Sequence, residues 1–405
     1  MNSLQDAARE TDRREQYLPL AALVLLSVIY LFSPFASYVG SLLFLTVFSR
    51  RLSTRMRIAV SVIAILSGAS IWASRMVGRT ESDDFEWYYA IYRPDNPIPW
   101  TNKIPVYEVG FPLLIKIISV ALPGLTPSGL IFVLTTVTGL ILLFGVERFG
   151  LREFSKEKRG YCNAMVFLFF SFVLTTQLTR QMISSVFLVI AFLSPKAMPR
   201  RLSLLLASAF HLSAIGVYAV IRMFQSKYLW IPFLLFWVVL ITNVVDVYAM
   251  ASLVTGQIPR LDYFYLMAGD SAANLATLAI VLAVTLPGAM SLVGLKAADA
   301  RISAQEKRIM LLLALVILAY FLTLNFTLGP FRVFLVIHAV MAGWFFAFLT
   351  RRWSSPWLVV GSVVLILMRA WSLFFVDPDR TFLPWEVYGP FGAFPGYFLF
   401  SYLGS

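Results

Sequence analysis

The chain is poor in the groups on which soluble enzymes build their sites. Its 405 residues include one cysteine and two histidines, and only 13% are Asp, Glu, Lys or Arg. Cys162, alone in an apolar run, can form no intrachain disulfide. So few cysteines and histidines argue against a zinc site, which draws on four ligands of that kind. There is no P-loop, no glycine-rich dinucleotide turn, no HExxH and no GxSxG. The alternating apolar and polar pattern of an outer-membrane barrel is also lacking. A soluble domain carries about 25% charged residues, so the low charge also argues against a water-soluble globule.

What the chain has instead is apolar length. Hydrophobic residues make up 59% of it, and the mean hydropathy is +0.79. Long apolar runs recur, among them 18–33, 58–74 and 272–295. Runs of about 17–25 such residues cross a bilayer as helices, the only open-ended structure that satisfies its own backbone there. The fold class expected is an all-α polytopic integral membrane protein of about 11 transmembrane helices. It would form a single membrane domain over residues 1–405. The charged N-terminal tail does not resemble a cleaved signal, so the first helix reads as retained.

Net charge is +12, but the cations sit in short loops between apolar runs, which speaks for membrane topology and against nucleic acid. With the N-terminus in the cytoplasm, the cytoplasmic tail and loops hold 23 of the 33 Lys and Arg, as the positive-inside rule expects. That arrangement requires two apolar segments not to cross. Residues 110–122 are short, with Lys116 in the middle, and read as a helix in the outer interface. Residues 202–221 have cations at both ends and His211 at the centre, and read as a re-entrant or broken hairpin with His211 near its tip. The long loop 75–107, the segment 247–271 and the C-terminal tail 377–405 then face the periplasm. Their Trp and Tyr suit a membrane interface; they would also stack on sugar rings.

Ionisable residues in or beside membrane helices are costly and demand a reason. Arg180 and Arg332 lie at outer helix starts, and His211 and Arg369 lie within apolar stretches. Asp83, Asp84, Glu86 and Glu108 lie in the first outer loop. They fall on one face, and Arg369 reads as a helix–helix contact or a snorkelled side chain. Each has a plainer alternative: snorkelling for the arginines, helix packing for His211, and a helix cap for Asp83 or Asp84 ahead of FEWYYAIY. No metal or other cofactor is expected, although Asp83 and Asp84 could hold a divalent ion.

Five motifs in order carry a resemblance: DDFEWYY (83–89), YEVGFPLL (107–114), LTRQMISSVFLVIAF (178–192), AFHLSAIGVY (209–218) and GPFRVF (329–334). Together they resemble the EpsG/Wzy-type family of polysaccharide (O-antigen) polymerases. The resemblance implies a glycosyltransferase of the bacterial inner membrane, joining undecaprenyl-diphosphate-linked oligosaccharide repeats on the periplasmic side. It implies those lipid-linked glycans and the bilayer as partners, with a chain-length regulator as a further one. In that reading Arg180, Arg332 and the adjacent Gln181 meet the diphosphate, because guanidinium forks bind phosphate oxygens in pairs. The proton acceptor is His211, Glu108, Asp83 or Asp84. Tyr88, Tyr89, Arg260 and Tyr263, in the outer loops, hold sugars. Two other classes compete: a different lipid-dependent glycosyltransferase or ligase, and a flippase or transporter for the same lipid.

Overall fold

The computed structural model describes residues 19–77, 84–93, 108–225, 271–297, 302–322, 334–374, 387–392 and 394–404. Among them every regular element is helical, and the single β-type pairing is an isolated bridge between Leu125 and Leu403. Asp83, Arg260, Tyr263 and Arg332 lie outside the described residues, as do most of loop 75–107, most of segment 247–271 and residues 377–386 of the tail.

The long apolar runs do not all become long helices. The first run breaks at Ser33 into α1 (Pro19–Phe32) and α2 (Pro34–Val47). Ser33 is extended there, its hydroxyl accepts the Ala36 amide at 3.0 Å, and Pro34 opens the next helix. That is a serine N-cap followed by proline at the first helical position. A serine cap at Ser53 starts α3 (Thr54–Ala73). After the short α4 (Asp84–Tyr92) and α5 (Gly110–Ala121), Thr126 and Pro127 start α6 (Pro127–Arg148) in the same way. Of the described helices, α3 and α6 are the two long and apolar enough to cross a membrane unaided; at 1.5 Å per residue they extend about 30 Å.

The middle of the chain is built from pieces. Helix α7 (Arg159–Phe169) stops at Phe170, α8 (Phe172–Gln177) runs under two turns, and α9 (Thr179–Leu193) restarts after Leu178. The Ser171 amide in the first break donates to the Ala339 carbonyl at 2.9 Å, inside a π-helical turn over Val336–Met341. The wider turn thus lends a carbonyl to a neighbouring helix. Helices α10 (Ala197–Phe210) and α11 (Ser213–Gln225) are separated by an extended His211, so the sequence expectation of a broken helix at this histidine is met. Next come α12 (Ser271–Ala297), with Pro287 inside it, α13 (Ala304–Leu322), α14 (Ala342–Thr350) and α15 (Ser355–Phe374). On α15, Trp357, Val360, Val364, Leu367, Met368 and Trp371 point outward, the apolar stripe a lipid-facing helix presents. The expected number of single-stretch spans is therefore not displayed by the described residues: serine, threonine and histidine breaks divide apolar runs into shorter helices.

Packing separates the molecule into two cores. The larger fills the bundle between α2, α3, α7, α9, α12, α13 and α14. Gly343 of α14 lies so close to the Met165 backbone of α7 that no Cβ would fit. The smaller core caps one end, uniting Phe85, Tyr88 and Tyr92 of α4, Phe111 and Ile115 of α5, Phe210 of α10, and Tyr388, Phe398 and Tyr402 of the C-terminal segment. That segment is laced down by its backbone. The amides of Gly392 and Gly396 donate to Phe32 and Leu31 at 3.1 and 2.7 Å, and Gly404 donates to Gly124 at 2.8 Å. Gly396 turns with φ +72, which favours glycine. Among the described residues of the loop and tail, Phe85, Tyr88, Tyr92, Tyr388, Phe398 and Tyr402 are core side chains, while Phe391, Phe394 and Phe400 are exposed.

Candidate active site

The charged residues sort to the two ends of the bundle. At one end Arg57 pairs with Glu147, Arg351 and Arg352 pair with Glu306, and Lys158 donates to the Arg351 and Trp353 carbonyls. Arg180, Glu108 and His211 gather at the other, beneath the aromatic cap. Three segments distant in sequence deliver the second group. Glu108 lies two residues before the start of α5, Arg180 is the second residue of α9, and His211 follows the last residue of α10. Helices α9 and α10 run antiparallel, tied by the Ser184 hydroxyl donating to the Ala207 carbonyl at 2.9 Å. Gly110 lets the first turn of α5 approach α10: a Cβ there would stand 3.0 Å from the Ala209 carbonyl oxygen. The absence of a side chain at Gly110 thus sets Glu108 beside His211.

Glu108 is the hub. Arg180 Nη1 donates to its Oε2 at 2.6 Å, and His211 Nδ1 meets its Oε1 at 2.8 Å. The Leu212 amide, freed by the helix break, donates to Oε1 at 3.1 Å. The Glu108 side chain is 4% exposed, Arg180 17% and His211 28%. Burial pushes the Glu108 carboxyl up, but the hydrogen bond and charge of His211, the Leu212 amide and Arg180 together outweigh it and hold it below the usual value. An ionised carboxylate only accepts hydrogen bonds, so the proton of the His211–Glu108 contact sits on Nδ1. When Nε2 carries no proton it is an acceptor, on the most exposed side chain of the three.

Tyr88 and Asp84 complete the surroundings of Arg180. Arg180 Nε donates to the Tyr88 hydroxyl at 3.2 Å, and its guanidinium carbon lies 5.9 Å from the Tyr88 ring centre. Asp84, at the start of α4, lies within electrostatic reach of Arg180. Tyr89 goes elsewhere: it donates to the Leu125 carbonyl at 3.1 Å and stacks on Tyr92, fastening α4 to the α5–α6 turn. Gln181 is half-buried on α9 beside Arg180. The structure therefore brings Glu108, Arg180, His211 and Tyr88 together, with Asp84 near and Tyr89 turned away.

Arg75 belongs to this end too, and the sequence reading treated it only as a loop boundary. It is fully buried. It donates to the Thr176 carbonyl at 2.9 Å, near the break before Arg180, and its guanidinium carbon lies 5.5 Å from the Phe85 ring centre. Phe85 packs edge-on against Tyr88, which packs on Phe111. The available signal was a cation directly after the apolar run IWAS, a position usually read as the membrane edge. Only the fold shows the chain returning over it.

The fold and this site define a helical membrane protein with a polar cluster at one end of its bundle. The EpsG family model matches residues 58–387, so the chain belongs to the EpsG family. The matched span runs from inside α3 to the C-terminal segment and contains every residue of the cluster. Membership carries a polysaccharide polymerase-type role at the membrane. No curated protein and no solved structure matches the chain.

Proposed function

We propose that this protein is an O-antigen or exopolysaccharide polymerase of the bacterial inner membrane. It transfers a growing glycan from undecaprenyl diphosphate to a hydroxyl of a new lipid-linked repeat, on the periplasmic side. The N-terminus lies in the cytoplasm and the C-terminal segment in the periplasm. The observation that carries this reading is the contiguity of Arg180, Glu108 and His211 at a single helix junction.

In the reaction the anomeric carbon–oxygen bond to the diphosphate breaks, and a bond to the acceptor oxygen forms. Negative charge grows on the departing diphosphate, where a preorganised cation stabilises the transition state more than the ground state. Arg180 serves there, with Arg332 as the second guanidinium and Gln181, next to Arg180 on α9, as a further donor. The acceptor hydroxyl gives its proton to the unprotonated ring nitrogen of His211. Glu108 fixes the tautomer and steadies the imidazolium that forms, as carboxylates do in other carboxylate–histidine pairs. Glu108 is a poorer base itself, because both its oxygens are engaged and its carboxyl is held ionised. Asp84 and Asp83 border the donor site, Arg260 and Tyr263 hold sugars, and Tyr88, buried in the small core, steadies Arg180.

The test is purified protein in lipid nanodiscs with a synthetic undecaprenyl-diphosphate repeat, read as a ladder of products without any ion gradient. Wild-type protein should elongate, and Arg180→Ala should lower elongation by about 10²–10³-fold while remaining membrane-inserted. A ladder of normal length from Arg180→Ala removes the diphosphate role. Gradient-dependent movement of the lipid with no elongation would assign the protein to transport.

A further inference from the structure

At the opposite end of the bundle lies a cavity of about 410 Å³ that the polymerase reading does not use. Three pieces of chain form it: the last turn of α9 with Phe192 and Leu193, the 3-10 turn Gly150–Glu153 after α6, and the first turns of α13. Trp344 of α14 closes the bottom, buried, with its indole N–H donating to the Gly150 carbonyl at 3.2 Å. Along α13 the lining residues Gln305, Arg308, Ile309 and Leu312 recur at helical spacing, so one stripe of that helix faces the space. Its depth is apolar and its rim carries Arg152, Arg308 and Glu153.

Among the described residues no ion pair joins Arg152, Arg308 and Glu153 to one another. The α13 carboxylate that could oppose Arg308 is Glu306, which is 1% exposed and turned to Arg351 at 2.9 Å and Arg352 at 3.4 Å. Its second oxygen receives the Ser303 amide at 2.7 Å in a helix-capping arrangement. Arg152 is exposed, its guanidinium over the Phe149 ring at 5.8 Å. Glu153 also lies within electrostatic reach of Arg351, so Arg152 and Arg308 leave the mouth net positive over an aromatic and aliphatic floor. A cationic rim over an apolar pocket between helix ends is the chemistry that holds a lipid phosphate with its first methylenes. The volume falls within the range of small-ligand sites; it suits a headgroup and the start of one acyl chain.

We propose that this cavity binds an anionic phospholipid of the leaflet opposite the Arg180 cluster. The phosphate sits between Arg152 and Arg308, a headgroup hydroxyl reaches Glu153 or Gln305, and one acyl chain runs over Phe192 and Leu312. The proposal rests on the membrane embedding of the chain and is independent of the reaction at the other end.

The experiment uses full-length protein in detergent, with native mass spectrometry counting retained lipid and thermal unfolding read in parallel. Dioleoylphosphatidylglycerol, dioleoylphosphatidylcholine and inorganic phosphate are added separately. The expected result is one phosphatidylglycerol retained per chain with a raised Tm. Retention should fall at least tenfold in R152Q/R308Q and stay unchanged in R55Q/K156Q, which removes two exposed cations of the same end. Arg152→Gln alone alters a single exposed side chain, and it should weaken retention even if the double variant folds poorly. Equal retention of phosphatidylcholine, or undiminished phosphatidylglycerol in Arg152→Gln, overturns the proposal. An equal rise in Tm from inorganic phosphate alone, lost in the same variant, overturns the lipid as occupant and assigns the pocket to a soluble anion.

Discussion

Each end of the bundle holds a buried arginine–glutamate pair with a third polar partner, and the two are built differently. At one end Arg57 grips Glu147 with both prongs, Nε to Oε1 at 2.8 Å and Nη2 to Oε2 at 2.7 Å. The third partner is a neutral amide, Asn163, which donates to Glu147 at 2.7 Å and to the Ser61 hydroxyl at 3.1 Å. At the other end Arg180 touches Glu108 through one nitrogen, shares itself with the Tyr88 hydroxyl, and the third partner is a titratable histidine. Arg57 and Glu147 are 4% and 12% exposed, whereas His211 is 28% exposed. A two-pronged, enclosed pair has its hydrogen-bonding groups turned inward and fastens α3 to α6. A one-pronged pair with an open histidine retains donors and a proton acceptor for a substrate. The same two residue types thus form a closed rivet in one place and a part-open cluster, the one the proposed reaction would use, in the other.

That contrast can be broken at several points, beginning with the largest effect. His211→Ala should lower turnover by about 10²–10⁴-fold, the usual worth of a positioned acid–base group. Binding of lipid-linked donor should change little. An unchanged rate removes His211 as the base. Arg57→Ala should do the reverse. Stranding Glu147 costs roughly 3–5 kcal/mol of stability, as for other broken buried pairs, while the folded fraction elongates at the wild-type rate. A catalytic defect in folded Arg57→Ala protein would end the distinction between rivet and machinery.

Glu108→Gln tests the electrostatic half of the comparison. The carboxyl is held below its ordinary value of 4.5. Its contribution to stability is therefore complete above that pH and is lost as pH falls through the lower folded value. The stability difference between wild type and Glu108→Gln, of about 1.5–3 kcal/mol for hydrogen bonds to a charged group, should hold near neutrality and shrink on acidification. A difference that grows toward low pH would contradict the arrangement. Tyr88→Phe is the mildest change. It removes one hydroxyl from Arg180 and should cost about 1 kcal/mol, read as a several-fold rise in KM for the donor with kcat nearly kept.

Parts of this architecture were legible in the chain. FHLSA, with a histidine inside an apolar stretch flanked by cations, marked the helix break at His211, because a charged or polar group there needs an exit from a continuous helix. The short run 110–122 with Lys116 marked α5, whose Leu113, Ile117 and Val120 are exposed along one side. Other parts were hidden. Tyr88 and Tyr89 are neighbours of the same type, yet one meets Arg180 and the other Leu125. Which way each points depends on where α4 docks, and no local pattern encodes that. Arg75 looked like the end of a span, and its burial depends on Phe85 and Thr176 arriving from later segments.

The sequence by itself determined the helical membrane character, the sorting of cations into loops and the residue types that carry charge near one face. Those follow from local terms: apolar length against bilayer thickness, the cost of a charge in hydrocarbon, and the capping preferences of serine, threonine and proline. Tertiary structure decided that Glu108 rather than Asp84 stands between Arg180 and His211, that Gly110 admits α5 to the end of α10, and that Glu306 turns from the cavity to Arg351. Each of these is a contact between segments far apart in the chain. Its geometry follows from how whole helices pack, a cooperative choice that no single stretch of residues contains.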